Sequence, residues 1–195
     1  AGIVFVAATL FALGAAGSTP TAGDPAEVIR AFYKDHFAIE AVSAFALPVC
    51  AMLFAFFAGT LGSLVGDDRR SPWRMLFIAG TAAVAIGWIV LGFARMLLVD
   101  AVDQSLGDAA LQAFALLDAD NWIVTNPALG IFMLGTAGLT LTGSVPVAYR
   151  RLGWAALVLG IALFVPYVSF IALIVTALWI VVTSVMLLRG RPTTA

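Results

Sequence analysis

The chain has 195 residues, of which 63% are apolar and only 11% charged, with a mean hydropathy of +1.07. Soluble domains carry about 25% charged residues, so the bilayer is the solvent this composition fits. A net charge of −1 with ten basic residues leaves no basic face for nucleic acid, and the single cysteine, Cys50, excludes an internal disulfide. Nine of the ten basic residues are arginine, in a chain rich in alanine and glycine, as in GC-rich bacterial genomes.

The first apolar run, residues 1–16, is slightly short for a span, and Gly14-Ala15-Ala16 has the small-residue spacing of a signal-peptide cleavage site. We read it as a first transmembrane helix. Residues 17–23 form a Ser/Thr/Pro/Gly linker that ends at Asp24-Pro25-Ala26-Glu27, the pattern of an N-cap, a proline at the first helical position and a capping-box acid. The helix this predicts carries Val28, Phe32 and Ile39 among charged neighbours. It continues into a span over 41–65, kinked at Pro48, whose ring and missing N–H disturb the ladder. Ala55, Gly59 and Ser63 recur every four residues, which favours close approach of a second helix on that side.

The segment Gly66-Asp67-Asp68-Arg69-Arg70-Ser71-Pro72 reads as the turn of an antiparallel hairpin, and the returning span covers 73–99. Glu40 and Arg95 are equally far, to within one residue, from Asp68 in that turn. They are therefore predicted at matching depth and within salt-bridge range. Residues 101–118 place Val102, Leu106, Ala109, Ala113, Phe114 and Leu117 on one side of a helix and Asp103, Gln104, Asp108 and Gln112 mostly on the other. An amphipathic helix lying on the outer surface is expected there, packed on the bundle. Trp122 marks the interface. A fourth span runs over 123–147, with Pro127 in its first turn and Thr136, Thr140 and Ser144 on one stripe.

A straight helix over the uncharged run 152–188 would reach roughly 55 Å, far beyond the bilayer's hydrocarbon. It must break, and Pro166-Tyr167-Val168-Ser169 is the natural place, leaving spans over 152–165 and 169–188. The resulting expectation is an all-α, polytopic membrane helical bundle. It has six transmembrane helices and an extra amphipathic helix on the outer face, in a single domain over 1–195. Arg69, Arg70, Arg74, Arg150, Arg151, Arg189 and Arg191 all fall on one side. The positive-inside rule makes that side cytoplasmic, with both termini there. This places the chain in the inner membrane of a bacterium, with an acidic outer face.

The segment Ala31-Phe32-Tyr33-Lys34-Asp35-His36 leads straight into a span, and Arg151-Leu152-Gly153-Trp154 opens a double span that continues past Trp179. In both features the chain resembles a broad group of uncharacterised bacterial six-span integral membrane proteins. The resemblance implies a similar fold and carries no activity with it.

His36, Glu40 and Ser43 share a helical face, with Arg95 and Asp100 expected opposite. An acid, an imidazole and a guanidinium together suit acid/base work or an anionic head group. The plainer reading is that Glu40 and Arg95 only tie the hairpin together. Ser43, Trp122, Asn126, Tyr167 and Ser169 are the candidate ligand-facing residues, the Pro166 turn being a candidate cavity floor. Asp100, Asp103, Asp118, Asp120 and Asn121 lack the spacing of a calcium loop and read as a solvated acidic face. One histidine and one cysteine leave no Cys/His metal site or bis-histidine haem within the chain, and no cofactor is expected. The functional expectation is a membrane protein without demonstrable catalysis. Its partners would be the lipid bilayer, a membrane-protein subunit or second copy, or a lipophilic small molecule. The alternative is an isomerase- or cyclase-like membrane enzyme using Glu40 or His36 as acid or base.

Overall fold

The computed structural model describes residues 1–15, 17–64, 71–143 and 145–189. The turn residues 66–70, with Arg69 and Arg70, lie outside the described residues, as do Ser144 and Arg191. Eight helices, and no strands, are found among the described residues: α1 (Gly2–Gly14), α2 (Ala26–Asp35), α3 (Phe37–Gly62), α4 (Pro72–Asp103), α5 (Asp108–Ala119), α6 (Trp122–Thr142), α7 (Val147–Ala162) and α8 (Val168–Arg189). Four stretches are long and apolar enough to cross a membrane: α3, α4, α8, and Asp108–Thr142, in which α6 follows α5 after a turn at Asp120-Asn121. This is the constitution of a membrane protein. The 13 residues of α1 and 16 of α7 correspond to roughly 20 and 24 Å, short of the hydrocarbon thickness.

Local sequence explains where the helices stop. Asp24 does not cap α2. Its carboxylate accepts from the backbone N–H and the hydroxyl of Thr21 (2.7 and 3.0 Å), and Pro25 takes the N-cap position with no side-chain bond to the helix. The expected single helix into the membrane is divided at His36 (φ −109°, ψ 17°), while α3 continues through Pro48. The 152–188 run is divided between α7 and α8 at residues 163–167. There Pro166 lacks an N–H to continue the ladder, Tyr167 takes φ +66° and the Val168 N–H bonds to Pro166 O.

The chain divides into two compact units. Unit 1 comprises Ala1–Val6, Leu53–Val84 and Thr125–Ala195; unit 2 comprises Ala7–Met52 and Ala85–Val124. In unit 1, α6 is the central helix, with 13 of its residues buried. Phe132 of α6 sits among rings of α3 and α4, its centroid 4.9 Å from Phe54 and 5.1 Å from Phe77. The α4–α6 approach is close enough that only hydrogen fits at the crossing. A Cβ on Gly80 would meet the Phe132 backbone, one on Gly135 the Phe77 backbone, and one on Gly138 the Trp73 ring. On α8, the Trp179 indole N–H donates to Leu152 O of α7 at 3.1 Å.

The stripe expected to do this job, Ala55-Gly59-Ser63, is exposed instead, and a Cβ on Gly59 would meet nothing within 4 Å. In unit 2 the close contact is Gly92 of α4 against α3, where a Cβ would lie 2.7 Å from Ala44 O and 2.9 Å from Pro48 Cδ. The geometry follows from the proline: lacking an N–H, it cannot bond the carbonyl four residues back, so the Ala44 carbonyl is free to face the glycine.

The rest of unit 2 is a core of Ala26, Ile29 and Tyr33 from α2, Leu98, Val99, Ala101 and Val102 from α4, and Leu111 and Ala115 from α5. The predicted helix 101–118 is divided. Its first residues complete α4, and the rest forms α5 after a turn with Ser105 at φ +53°. The predicted apolar side is also rotated: Leu106, Ala109, Ala113 and Leu117 are exposed, while Leu111 and Ala115 are buried and Phe114 and Asp118 half-buried.

These contacts make a paired prediction. Gly135→Ala pushes a methyl group into the Phe77 backbone and should cost about 1–3 kcal/mol, read as a lowered unfolding midpoint in detergent. Gly59→Ala should change stability by no more than about 0.5 kcal/mol.

Candidate functional site

The site is a buried charge cluster in unit 2. Arg95 projects from α4 and is 5% exposed; Glu40, in the first turn of α3, is 1% exposed. Arg95 Nε lies 3.6 Å from Glu40 Oε2 and Nη2 3.4 Å from Asp118 Oδ2. Its Nη1 donates to Ala12 O at 2.9 Å, a carbonyl in the last turn of α1, where helix carbonyls lack partners within the helix. One guanidinium therefore joins α1, α3, α4 and α5.

Each acid is placed by its helix. Glu40 is near the positive end of α3, which suits a carboxylate. Asp118 is in the last turn of α5, the end where carbonyl dipoles repel negative charge, and Arg95 supplies the compensation. Asp118 keeps only 12% of its side chain exposed. This corrects the expectation that it belongs to a solvated acidic face. Leu111, Ala115 and Asp118 follow the i, i+4, i+7 spacing of a single helix face, a signal present in the sequence and hidden by apolar residues on the other faces of α5.

Tyr33 closes the cluster from α2. It is 1% exposed, and burial first, then the Asp118 and Glu40 carboxylates, hold its phenol well above the usual range. The phenol thus remains a neutral group beside the charges. At the exposed rim, Arg30 donates to Leu106 O at 2.8 Å and pairs with Asp108 at 3.0 Å, joining α2 to the start of α5.

The other candidate residues are distributed as follows. His36 is half-buried at the α2–α3 junction, its ring stacked on Phe32 at 4.5 Å and its Nδ1 3.0 Å from Phe32 O. Ser43 is buried on α3. Asp100 is partly exposed, and Arg95 reaches Asp118. Trp122 is half-buried at the start of α6. Asn126 and Ser169, both buried in unit 1, are brought together, the amide donating to the hydroxyl at 3.2 Å. Tyr167 is 88% exposed at the α7–α8 break. Among the described residues, no group of three or more His, Cys, Asp or Glu is placed to hold a metal ion.

No family model, curated protein or solved structure matches the chain.

Chemically, the cluster is closed: its carboxylates and guanidinium are enclosed by α1, α2 and α5, and its bonds run between helices. Replacing Arg95 with Met leaves the two buried carboxyl groups without a counter-charge and should cost roughly 3–5 kcal/mol. Glu40→Gln should cost less, because Arg95 keeps Asp118. Glu40→Gln/Arg95→Met should fall short of the sum of the single losses, measured by denaturant unfolding in detergent.

Proposed function

We propose that this chain is a multi-pass accessory or scaffold subunit of a membrane complex, working by packing rather than by catalysis. The observation that supports this most is the enclosure of the groups a reaction would need. Glu40 and Arg95 are 1% and 5% exposed, and the cluster's bonds join α4 to the ends of three other helices. An isomerase- or cyclase-like reaction with Glu40 as acid or base needs a substrate-sized opening to its carboxylate. The exposed Ala55-Gly59-Ser63 stripe offers a neighbouring helix in the bilayer, from a partner subunit or a second copy, a face without bulk.

A second reading, a binder of a lipophilic molecule, is favoured by a groove of about 280 Å³ in unit 2. Its lining of Ala44, Phe45, Pro48, Ile89, Gly92, Phe93 and Met96 is almost wholly apolar and suits an acyl or isoprenoid chain.

Six crossings, with α1 and α7 as short spans and α5 on the outer side, form part of the same proposal, as do a bacterial inner membrane and cytoplasmic termini. Charge supports them: the described residues of unit 1 include Arg74, Arg150, Arg151 and Arg189 and no acid, while unit 2 holds nine carboxylates against Arg30, Lys34 and Arg95. The positive-inside rule assigns the arginine-bearing connections to the cytoplasm.

Gentle detergent extraction followed by native mass spectrometry tests the reading. A stoichiometric protein partner or second copy, lost in Gly59→Leu with an unchanged melting curve, is the expected result. A bare monomer carrying one lipophile supports the binder instead, and turnover of a lipophilic substrate abolished by Glu40→Gln overturns both.

A further inference from the structure

We propose that the Glu40–Arg95–Asp118 cluster is a binding site for one proton, held by the carboxyl pair, so that the site is neutral only when it is loaded. Two carboxylates face one guanidinium, with side-chain exposures of 1%, 12% and 6% for Glu40, Asp118 and Arg95. Fully ionised, the cluster would carry a net negative charge away from water, which is expensive. The ionisable groups around it are few. Tyr33 is the neutral phenol on α2, and His36 stands half-buried at the α2–α3 junction. Glu40, Arg95 and Asp118 come from α3, α4 and α5, and α1 contributes the Ala12 carbonyl and no ionisable side chain.

Hydrogen bonding points the same way, independently of charge. Glu40 Oε2, Asp118 Oδ1 and Arg95 Nε are enclosed without a hydrogen-bond partner. Arg95 has committed Nη1 to Ala12 and Nη2 to Asp118. The 3.6 Å approach of Nε to Glu40 is a charge contact longer than a hydrogen bond. Of the guanidinium's five N–H groups none reaches Glu40 Oε2 or Asp118 Oδ1, so both acceptors stay orphaned inside the site. A carboxylate only accepts, whereas a carboxylic acid supplies an O–H donor, so one proton removes the surplus charge and adds the missing donor together. A buried water would supply donors and leave the charge. A metal cation would meet the guanidinium at the centre of the site. Two carboxyl groups competing for one partner is the arrangement in which one stays protonated.

Infrared spectroscopy of the full chain in phosphatidylcholine nanodiscs at neutral pH tests the proposal. The wild type should show the C=O stretch of a buried carboxylic acid, shifted in D2O. The band should vanish in Glu40→Gln and equally in Asp118→Asn, because either substitution leaves one carboxylate to pair with Arg95. It should persist in His36→Gln. Glu40→Gln, which copies the loaded state, should keep a melting curve close to wild type. A wild-type spectrum without the band overturns the proposal, as does a band that survives both acid substitutions. A melting point raised by sodium over choline with no acid band assigns the site to a metal cation and overturns it too.

Discussion

A guanidinium taken out of water inside an apolar bundle needs carbonyls and carboxylates to replace its hydration, and Arg95 obtains them from three other helices. Ala12 O completes one side, Glu40 a second and Asp118 a third. Because each partner sits at a helix end, satisfying one side chain fixes how the end of α1, the start of α3 and the end of α5 lie around it. The cover follows from the same need. Ile29, Tyr33, Leu111 and Ala115 are buried in one core with the end of α4, and without that core the charges would be open to solvent. Arg30, bonded to Leu106 and Asp108, fastens the cover at its rim.

Where charge is absent, the bundle is organised by the volume of single atoms. In lipid no hydrophobic force draws helices together, so contact depends on how closely backbones approach. Gly80, Gly135 and Gly138 allow α4 and α6 to touch, and Gly92 allows α4 to lie against the Pro48 region of α3. The aromatic group of Phe54, Phe77 and Phe132 fills the space around the first crossing. This division of labour explains why a stripe of small residues is not in itself a contact. Gly59 has the right type and spacing but, among the described residues, no helix against it, while Gly135 has Phe77.

Much of this was legible in the residues. The apolar runs identified α3, α4, α6 and α8, and the break at Pro166 follows from the length of the run and the chemistry of proline. The Glu40–Arg95 pairing was readable because two long apolar runs separated by few residues in the sequence keep equal depth at equal distance from the break between them. Asp118 was not readable in that way. Apolar residues surround α5, so periodicity could not choose its buried face, and the choice is made by Arg95 and the α2 core. The capping pattern at Asp24 misled because Thr21 competes for the same carboxylate. Four spans follow from length and composition, and the short helices α1 and α7 separate that count from six.

The central claim is that one arginine, buried among α1, α3 and α5, sets the arrangement of their ends. Solid-state NMR of isotope-labelled protein in lipid bilayers, measuring dipolar couplings from the Arg95 guanidinium nitrogens to side-chain carboxyl carbons, addresses it directly. The account predicts contact-range couplings to both Glu40 and Asp118 in the same sample. A guanidinium coupled to lipid phosphate or to exchanging water, with neither carboxyl group near, would contradict it.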